Sequence, residues 1–545
     1  MKRIFVILLL FGLSPCAWSA DEMLQPTLRD QTESLEQLMR YIRRDYYEET
    51  DSVELLHGAI EGYLSKLDPH STYIRPEDLH DAQERLRGSF EGIGIFFEIV
   101  DGILTVLSPI EGSPAYQVGL HPGDQIYKID GKSALGLKSN EVTDRLKGRK
   151  GTQVLVSVRR EGEPDLLDFG IVRDQIQVPS VPYAFKLSPD VGYVKVVRFS
   201  SRTSEELHAA LTDLINKGMQ KLILDLRGNG GGYLEQAVAV ANQFLERGRL
   251  LVYTQGRQLS TRENHFAETE PVFPPDLPMI VLVDGFSASA SEIVAGAIQD
   301  YDRGLIVGHT TFGKGLVQKQ FPLKNNGAVL LTIARYFTPS DRPIQRPFAG
   351  DREAYQKDAY DNYDPNTDPD STAIKQVYLT RILKRKVFGG GGITPDTALS
   401  VDTLTTLSRR LFMQKNHTVF LTFAKRQESV IAQTYHTFES FFTHYKTGRR
   451  DLIAFKQLLK EREISFTEEE FQASSDFIEK QIAQQIAQIR WGARAEGQVR
   501  VHQDAQVAQA MALFDRAKEL LAARMEHDQI GRAYGRTNTG YNQVR

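Results

Sequence analysis

The sequence predicts an α/β multidomain protein: an α/β core with an inserted or preceding β-rich module, and helical regions at both ends. Three observations carry this. From about residue 176 to 335, short apolar strands alternate with amphipathic helices. From 90 to 172, β-branched and aromatic residues alternate, and Gly-Asp and Asp-Gly turns punctuate them. Residues 28–85 and 400–545 carry helical spacing instead.

The first segment, 1–19, reads as a secretory signal. Lys2 and Arg3 give it a positive start. Ile4 to Leu13 is an apolar run too short to span a bilayer comfortably. Ala17 and Ser19 are small residues suited to cleavage before Ala20. The expected location is the periplasm or another exported compartment. The only cysteine, Cys16, falls inside this signal. Leu13-Ser14-Pro15-Cys16 resembles a lipobox, so a lipid anchor through Cys16 is the minor alternative, and Pro15 speaks against it. Once the signal is removed, no cysteine remains for disulfides, thiol catalysis or metal ligation.

In the 28–85 region, Leu35, Leu38, Met39 and Ile42 share one helical face, as do Val53, Leu56, Ile60 and Leu64. Leu67-Asp68-Pro69-His70 closes it with turn chemistry. The β-rich module occupies 86–173. The core spans 176–400. Strands are expected over Val191 to Phe199, Lys221 to Leu226 and Met279 to Val283. Thr203-Ser204-Glu205-Glu206 has the capping-box form and opens a helix to about Asn216. Further helices are expected near Leu234 to Leu245 and Ala290 to Ile298. Residues 345–390 break the pattern as an insertion. Within it, Gly350 to Thr372 is polar and rich in Asp, Tyr, Asn and Pro, which predicts a surface loop. Residues 401–545 form the C-terminal helical region. A net charge of −4 marks neither a nucleic-acid binder nor an acidic tail.

Three constellations carry chemistry. Asp225-Leu226-Arg227-Gly228-Asn229-Gly230-Gly231-Gly232 lies between a strand and a helix. Its glycines free backbone N–H groups to face an anion. A dinucleotide loop is excluded, because the third glycine of that fingerprint would fall on Tyr233. Asp284-Gly285-Phe286-Ser287-Ala288-Ser289-Ala290-Ser291-Glu292 has the same placement. A serine opening a helix has the positive end of the dipole behind it, which favours an oxyanion. Ser289 with Glu292 also fits a plain capping box. Gly308-His309-Thr310-Thr311-Phe312-Gly313-Lys314-Gly315 nearly matches a phosphate-binding loop. Gly315 replaces the magnesium-binding hydroxyl, and the strand-like Leu316 to Leu323 follows where a helix is required.

Together these supply a serine, a lysine and an anion site. A serine needs a base, and a desolvated lysine can be one. Ser287-Ala288-Ser289-Ala290-Ser291-Glu292-Ile293, followed by Phe312-Gly313-Lys314-Gly315 and Val317-Gln318, is similar to the signature of the carboxy-terminal processing (tail-specific) serine peptidases. Lys314 lies 25 positions after Ser289, the family's spacing. The resemblance implies Ser289 as nucleophile, Lys314 as general base and Gln318 as its support. It implies oxyanion donors at the backbone of Gly231 and Ala290, with Gly230 or Gly232 as alternatives to Gly231. It also implies a crotonase-like α/β peptidase core.

Gly92-Ile93-Gly94-Ile95, Ser113-Pro114-Ala115, Gly119 to Asp124 and Ile129-Asp130-Gly131 resemble a PDZ domain. Such domains take a peptide C-terminus by strand addition, and Gly92, Ile93, Gly94 and Ile95 would hold its carboxylate. Leu67 to Tyr73 also resembles the family's segment before its PDZ domain. The family usually joins Gln345 directly to the Gly391 to Asp396 segment, and here about 45 residues intervene. The expected function is therefore a serine endopeptidase cutting exported proteins near their C-termini. A non-enzymatic PDZ scaffold binding tails is the alternative. Expected partners are proteins or peptides with accessible C-termini. The C-terminal helices suit an adaptor or homo-oligomer surface, or else a cap on the core. His309 is the competing base. The histidines show no metal-ligand spacing, and no cofactor is implied.

Overall fold

The computed structural model describes residues 27–361, 376–401, 403–413 and 418–539. The expected signal and Cys16 lie outside the described residues. The chain divides into two compact units, one ending at Leu67 and one beginning at Asp68.

The first unit contains the helices Leu28–Asp45 and Ser52–Leu64. Thr27 caps the first reciprocally with Asp30, and Asp51 caps the second through Val53 and Glu54 N–H groups. Leu35, Leu38, Met39 and Ile42 line a groove with Leu55 and Leu56.

In the second unit, the segment after Asp68 departs from the expected helical stretch. Thr72–Ile74 is a strand, antiparallel to Ala328–Phe337 of the core. The helix Pro76–Arg87 follows and ends on Gly88 in the left-handed region. Because a core strand precedes the β-rich module, that module is an insert in the core. Its neck is a two-stranded ribbon, Ser89–Gly92 against Asp174–Gln177.

The insert is an antiparallel sheet in the order 95–100, 103–109, 125–129, 153–159, 167–172, with Lys132–Ser133 alongside the third strand. The helix Ser139–Leu146 buries Val142 and Leu146 over it. Val106, Ile126, Val156 and Val158 form the sealed centre of its core. Ile95–Val100 is an edge strand, so one row of its backbone groups is open to a further strand.

The core holds a six-stranded sheet in the order 183–186, 191–195, 221–225, 279–283, 305–308, 397–398. Its first pair is antiparallel and the rest are parallel. Helices Thr203–Asn216, Leu234–Asn242 and Ala290–Asp300 cover one face. Val501, Val507, Ala510 and Phe514 from the C-terminal region cover Ile223, Ile280 and Leu282 on the other. Burial on both faces is why Met279–Val283 reads as an unbroken apolar run. A second, antiparallel sheet joins Leu250–Gly256, Glu263–Phe266, Leu316–Pro322 and Ala328–Phe337.

Two local expectations are corrected. Thr203 begins its helix rather than capping it. Its hydroxyl accepts the Ser200 N–H, and Glu206 turns outward to accept the Ser180 and Val181 N–H groups. The expected loop from Gly350 contains the helix Arg352–Asp361, and residues 362–375 lie outside the described residues. Farther on, Gln376–Leu379 and Lys386–Gly389 pair as a hairpin.

The C-terminal region is a helical bundle around Phe420, Phe423, Phe441 and Phe455. It also grips the insert: Lys425 Nζ donates to Gly123 O at 2.9 Å, Gln488 Nε2 to Leu107 O at 3.1 Å, and Arg462 pairs with Asp101. Its later helices cap the core sheet, on the face that Val507, Ala510 and Phe514 bury. Among the described residues, no helix is long and apolar enough to cross a membrane.

Candidate active site

Two neighbouring strand-to-helix turns build one wall of a cleft of about 650 Å³. Strand Met279–Val283 runs into the turn 284–289, and Ser289 opens the helix Ala290–Asp300. Ser289 adopts φ 57° and ψ −113°, a conformation that L-residues rarely hold without support. The support comes from the adjoining turn. Ser287 Oγ donates to Leu226 O at 2.9 Å, and Ser291 Oγ donates to Asn229 O at 2.8 Å. Ala288 N–H also donates to Asn229 O, at 3.0 Å. Asp284 accepts the N–H groups of Gly228, Phe286 and Ser287. Both flanking serines are thereby committed to backbone geometry.

The expected capping box is only half formed. Glu292 accepts the Ser289 N–H at 2.8 Å, but the Ser289 hydroxyl makes no cap hydrogen bond. The Glu292 N–H goes to the Ser289 carbonyl instead. Fully buried, Glu292 also accepts from Thr311 Oγ1 at 2.6 Å, Gly313 N–H at 2.7 Å and Lys314 N–H at 2.9 Å. Burial pushes its carboxyl above the usual range against these four donors. This one side chain fixes the backbone of both Ser289 and Lys314.

Lys314 stands on the opposite wall, just before the strand Leu316–Pro322. Its Nζ donates to Gln318 Oε1 at 2.7 Å, and Gln318 Nε2 donates to the His70 carbonyl. Burial pulls the Lys314 amine below its usual value, while the Glu292 and Asp68 charges oppose the shift. Among the described residues, Lys314 Nζ and Ser289 Oγ are not hydrogen-bonded to each other; the amine's partner is Gln318. The Tyr336 hydroxyl lies 3.0 Å from the Ser289 carbonyl and also against the Lys314 carbonyl. A further tie therefore joins the two walls.

Gly230, Gly231, Gly232 and Ala290 line the same cleft. Gly231 sits at φ 101°, and a Cβ there would lie 2.8 Å from Ser289 Cβ and from Ala288 O. Only glycine fits. The expected Gly231 donor needs correcting in one respect. Its N–H is already given to Asn229 Oδ1 at 2.9 Å, because Asn229 closes an Asx turn. Among the described residues, the N–H groups of Gly230, Gly232 and Ala290 have no hydrogen-bond acceptor. The glycine turn is anchored from behind. Arg227 bridges Asp225 at 2.6 Å and Asp504 of the C-terminal region at 2.8 Å. Burial alone would raise the Asp225 carboxyl, but the Arg227 and Lys195 charges hold it far below its usual value.

His309, the competing base, is not in the cleft lining; its Nε2 lies 3.4 Å from Gln506 Nε2.

A second cavity, of about 290 Å³, lies at the insert. Gly92, Ile93, Gly94 and Ile95 line it with Phe97, Leu146 and Lys147. Gly94 sits at φ 82°, and a Cβ there would stand 2.3 Å from Ser113 Cβ. The Gly94 carbonyl is held by Ser113 Oγ and Ile110 N–H, both at 2.9 Å. Among the described residues, the Ile93 and Gly94 N–H groups have no acceptor, as a carboxylate site requires. Arg198 of the core also lines this cavity, its guanidinium lowered by burial. Sequence reasoning missed Arg198, Tyr336 and the double role of Glu292. Only Glu292 left a trace, as the last residue of the capping-box pattern.

Three family models match the chain: peptidase family S41 over residues 190–353, a PDZ domain over 105–160, and the N-terminal domain of the activating protease CtpB over 17–78. The carboxy-terminal-processing protease of Bartonella bacilliformis is 39% identical over 329 residues, covering 58% of this chain and 75% of that one. Carboxy-terminal processing protease CtpA of Bacillus subtilis is 38% identical over 315 residues, covering 58% of this chain and 66% of that one. Among solved structures, the photosystem II D1 C-terminal processing protease aligns at 28% identity with a TM-score of 0.35, over 68% of this chain and 88% of that one.

Proposed function

Because the chain belongs to the carboxy-terminal processing protease family of serine-type peptidases, we propose that it cuts exported proteins near their C-termini with a Ser289–Lys314 dyad. The observation that carries this reading is the shared cleft. Ser289, Lys314, Gln318, Ala290 and the glycine turn line it together, and burial favours the neutral form of Lys314. A buried amine that loses its proton readily can take one from a serine hydroxyl.

The steps follow from these groups. Ser289 Oγ attacks the scissile carbonyl while Lys314 Nζ takes its proton. The resulting oxyanion is held by the Ala290 N–H at the helix start and by a glycine-turn N–H. Gly232 offers that second donor as the turn stands, and Gly231 offers it once released from Asn229. Lys314 then passes its proton to the leaving amine. An acyl-enzyme remains on Ser289, and water activated by Lys314 releases it. Gln318 keeps the amine oriented throughout.

The PDZ domain supports tail capture. A substrate tail adds to the open edge of Ile95–Val100, with its carboxylate on the Ile93 and Gly94 N–H groups. The signal-like start of the sequence supports export. Family membership favours the peptidase over the tail-binding scaffold.

The test is cleavage of an unstructured, apolar-tailed protein by the purified mature chain and by Ser289→Ala. Turnover by the wild type alone is expected. Equal turnover by both would remove Ser289 from the chemistry.

A further inference from the structure

Two distant segments hold the lysine wall of the cleft, and one side chain joins them. From one side, the His70 carbonyl accepts Gln318 Nε2, and Gln318 in turn accepts Lys314 Nζ. From the other, Gln345 Oε1 accepts the N–H of Gly315, next to Lys314, at 3.0 Å. Between them stands Tyr355, buried on the helix Arg352–Asp361. Its hydroxyl lies 3.0 Å from His70 Nε2 and 3.0 Å from Gln345 Nε2.

An amide nitrogen only donates, so Tyr355 accepts from Gln345, and with the His70 tautomer that leaves Nε2 bare it gives its own proton to His70. That requires a neutral His70. Burial, with the Lys314 charge beside it, lowers His70 to about 4. The Tyr355 ring is fixed as well. It meets the His70 ring edge-on at 5.5 Å and Phe348 at 5.8 Å. The Arg346 guanidinium is wedged between the Phe312 and Tyr355 rings, 4.6 and 4.3 Å from their centroids. Every approach to the hydroxyl is thus set before the cleft is reached.

We propose that Tyr355 is a positioning residue for the general base: its hydroxyl locks His70 to Gln345, and through Gln318 this lock holds Lys314 Nζ in the cleft. The inference rests on the reading of Lys314 as the base. It makes the helix Arg352–Asp361 part of the machinery of the site without contact to substrate.

The experiment uses the full mature chain and the unstructured, apolar-tailed protein, with Ser289→Ala as reference. Tyr355→Phe keeps the ring and deletes the hydroxyl; His70→Phe deletes its acceptor. His70→Phe is expected to lower kcat about fivefold, the worth of one buried hydrogen bond, and Tyr355→Phe, which also removes the Gln345 bond, at least about fivefold, both with KM unchanged. The double variant is expected to lose no more than Tyr355→Phe alone, because the bond that His70→Phe removes is already gone in that variant. Wild-type kcat in Tyr355→Phe overturns the proposal. So does a double-variant loss equal to the product of the two single losses, which marks independent effects. If Tyr355→Phe does not fold, His70→Phe decides alone, by the same fivefold loss or by wild-type kcat. If wild type and Ser289→Ala turn over equally, the dyad reading falls and this inference with it. Ser289-dependent turnover with an unaffected Tyr355→Phe sinks this inference only.

Discussion

The two walls of the cleft are built differently. The serine wall is made by neighbours: two adjacent strand-to-helix turns, 226–232 and 284–292, exchange hydrogen bonds until Ser289 has one backbone conformation open to it. The lysine wall is made by strangers. Lys314 takes its position from His70, Gln345 and Tyr355, which arrive from other parts of the chain. The geometry of Ser289 therefore rests on two motif segments that pack side by side, while that of Lys314 draws also on single residues from outside any motif. Glu292 and Tyr336 each touch the backbone of both walls.

The strongest break is Lys314→Met. Turnover of the apolar-tailed protein should fall by at least about 10⁴-fold, as when one member of a unit is removed. Stability should move the other way. The folded-state amine has a lowered pKa, so the unfolded chain binds its proton more readily. Its penalty on folding is fully present below the folded pKa and fades as pH rises toward the ordinary lysine value of 10.5. Thermal melts should accordingly show Lys314→Met more stable than wild type at neutral pH and not at about pH 11. In the wild type, kcat/KM should rise with pH through a pKa below the usual lysine range.

Glu292→Ala erases the distinction between the walls, since it frees both backbones at once. Four buried donors lose their acceptor. The loss should cost on the order of 4 kcal/mol in chemical denaturation and about 10²-fold in turnover. A loss confined to stability would reduce Glu292 to a helix cap.

Gly94→Asp leaves both walls alone and so sharpens the comparison. The substituted loop cannot keep φ 82° against Ser113. KM for the tailed protein should rise about tenfold, while kcat stays near wild type. Unchanged KM would remove the 92–95 loop from tail capture.

Tyr336→Phe should lower kcat about fivefold, by one hydrogen bond shared between the walls. The smallest effect concerns acid. His70 faces Lys314, Asp68, Arg346 and Arg352, and its folded pKa is lowered from 6.5 to about 4. The unfolded chain therefore takes up its proton first, and this contribution to stability is lost as pH falls through that window. His70→Phe should flatten the acid side of the stability profile between about pH 6.5 and 4; an unaltered profile would show that His70 does not titrate there.

By itself, the sequence determined what is local. The glycine turn at 228–232 and the 92–95 loop are short patterns, while the 25-residue spacing of Ser289 and Lys314 was legible only through its resemblance to a known family. The alternation of strands and helices likewise reports burial on regular faces, which periodicity encodes directly. Thr203 was misread because a capping pattern cannot say whether a side chain has a better partner elsewhere, and here Ser200 and Ser180 supplied them. The helix at Arg352–Asp361 was misread because its polar composition says loop, while Tyr355 is held by contacts with His70 and Gln345. What only the tertiary structure decided is which lone side chains meet. Tyr336 and Tyr355 have no motif, and their positions come from a single hydroxyl placed between segments that the fold brings together. A hydrogen bond acts over about 3 Å, so its partners are defined by distance in space and leave no period in the sequence.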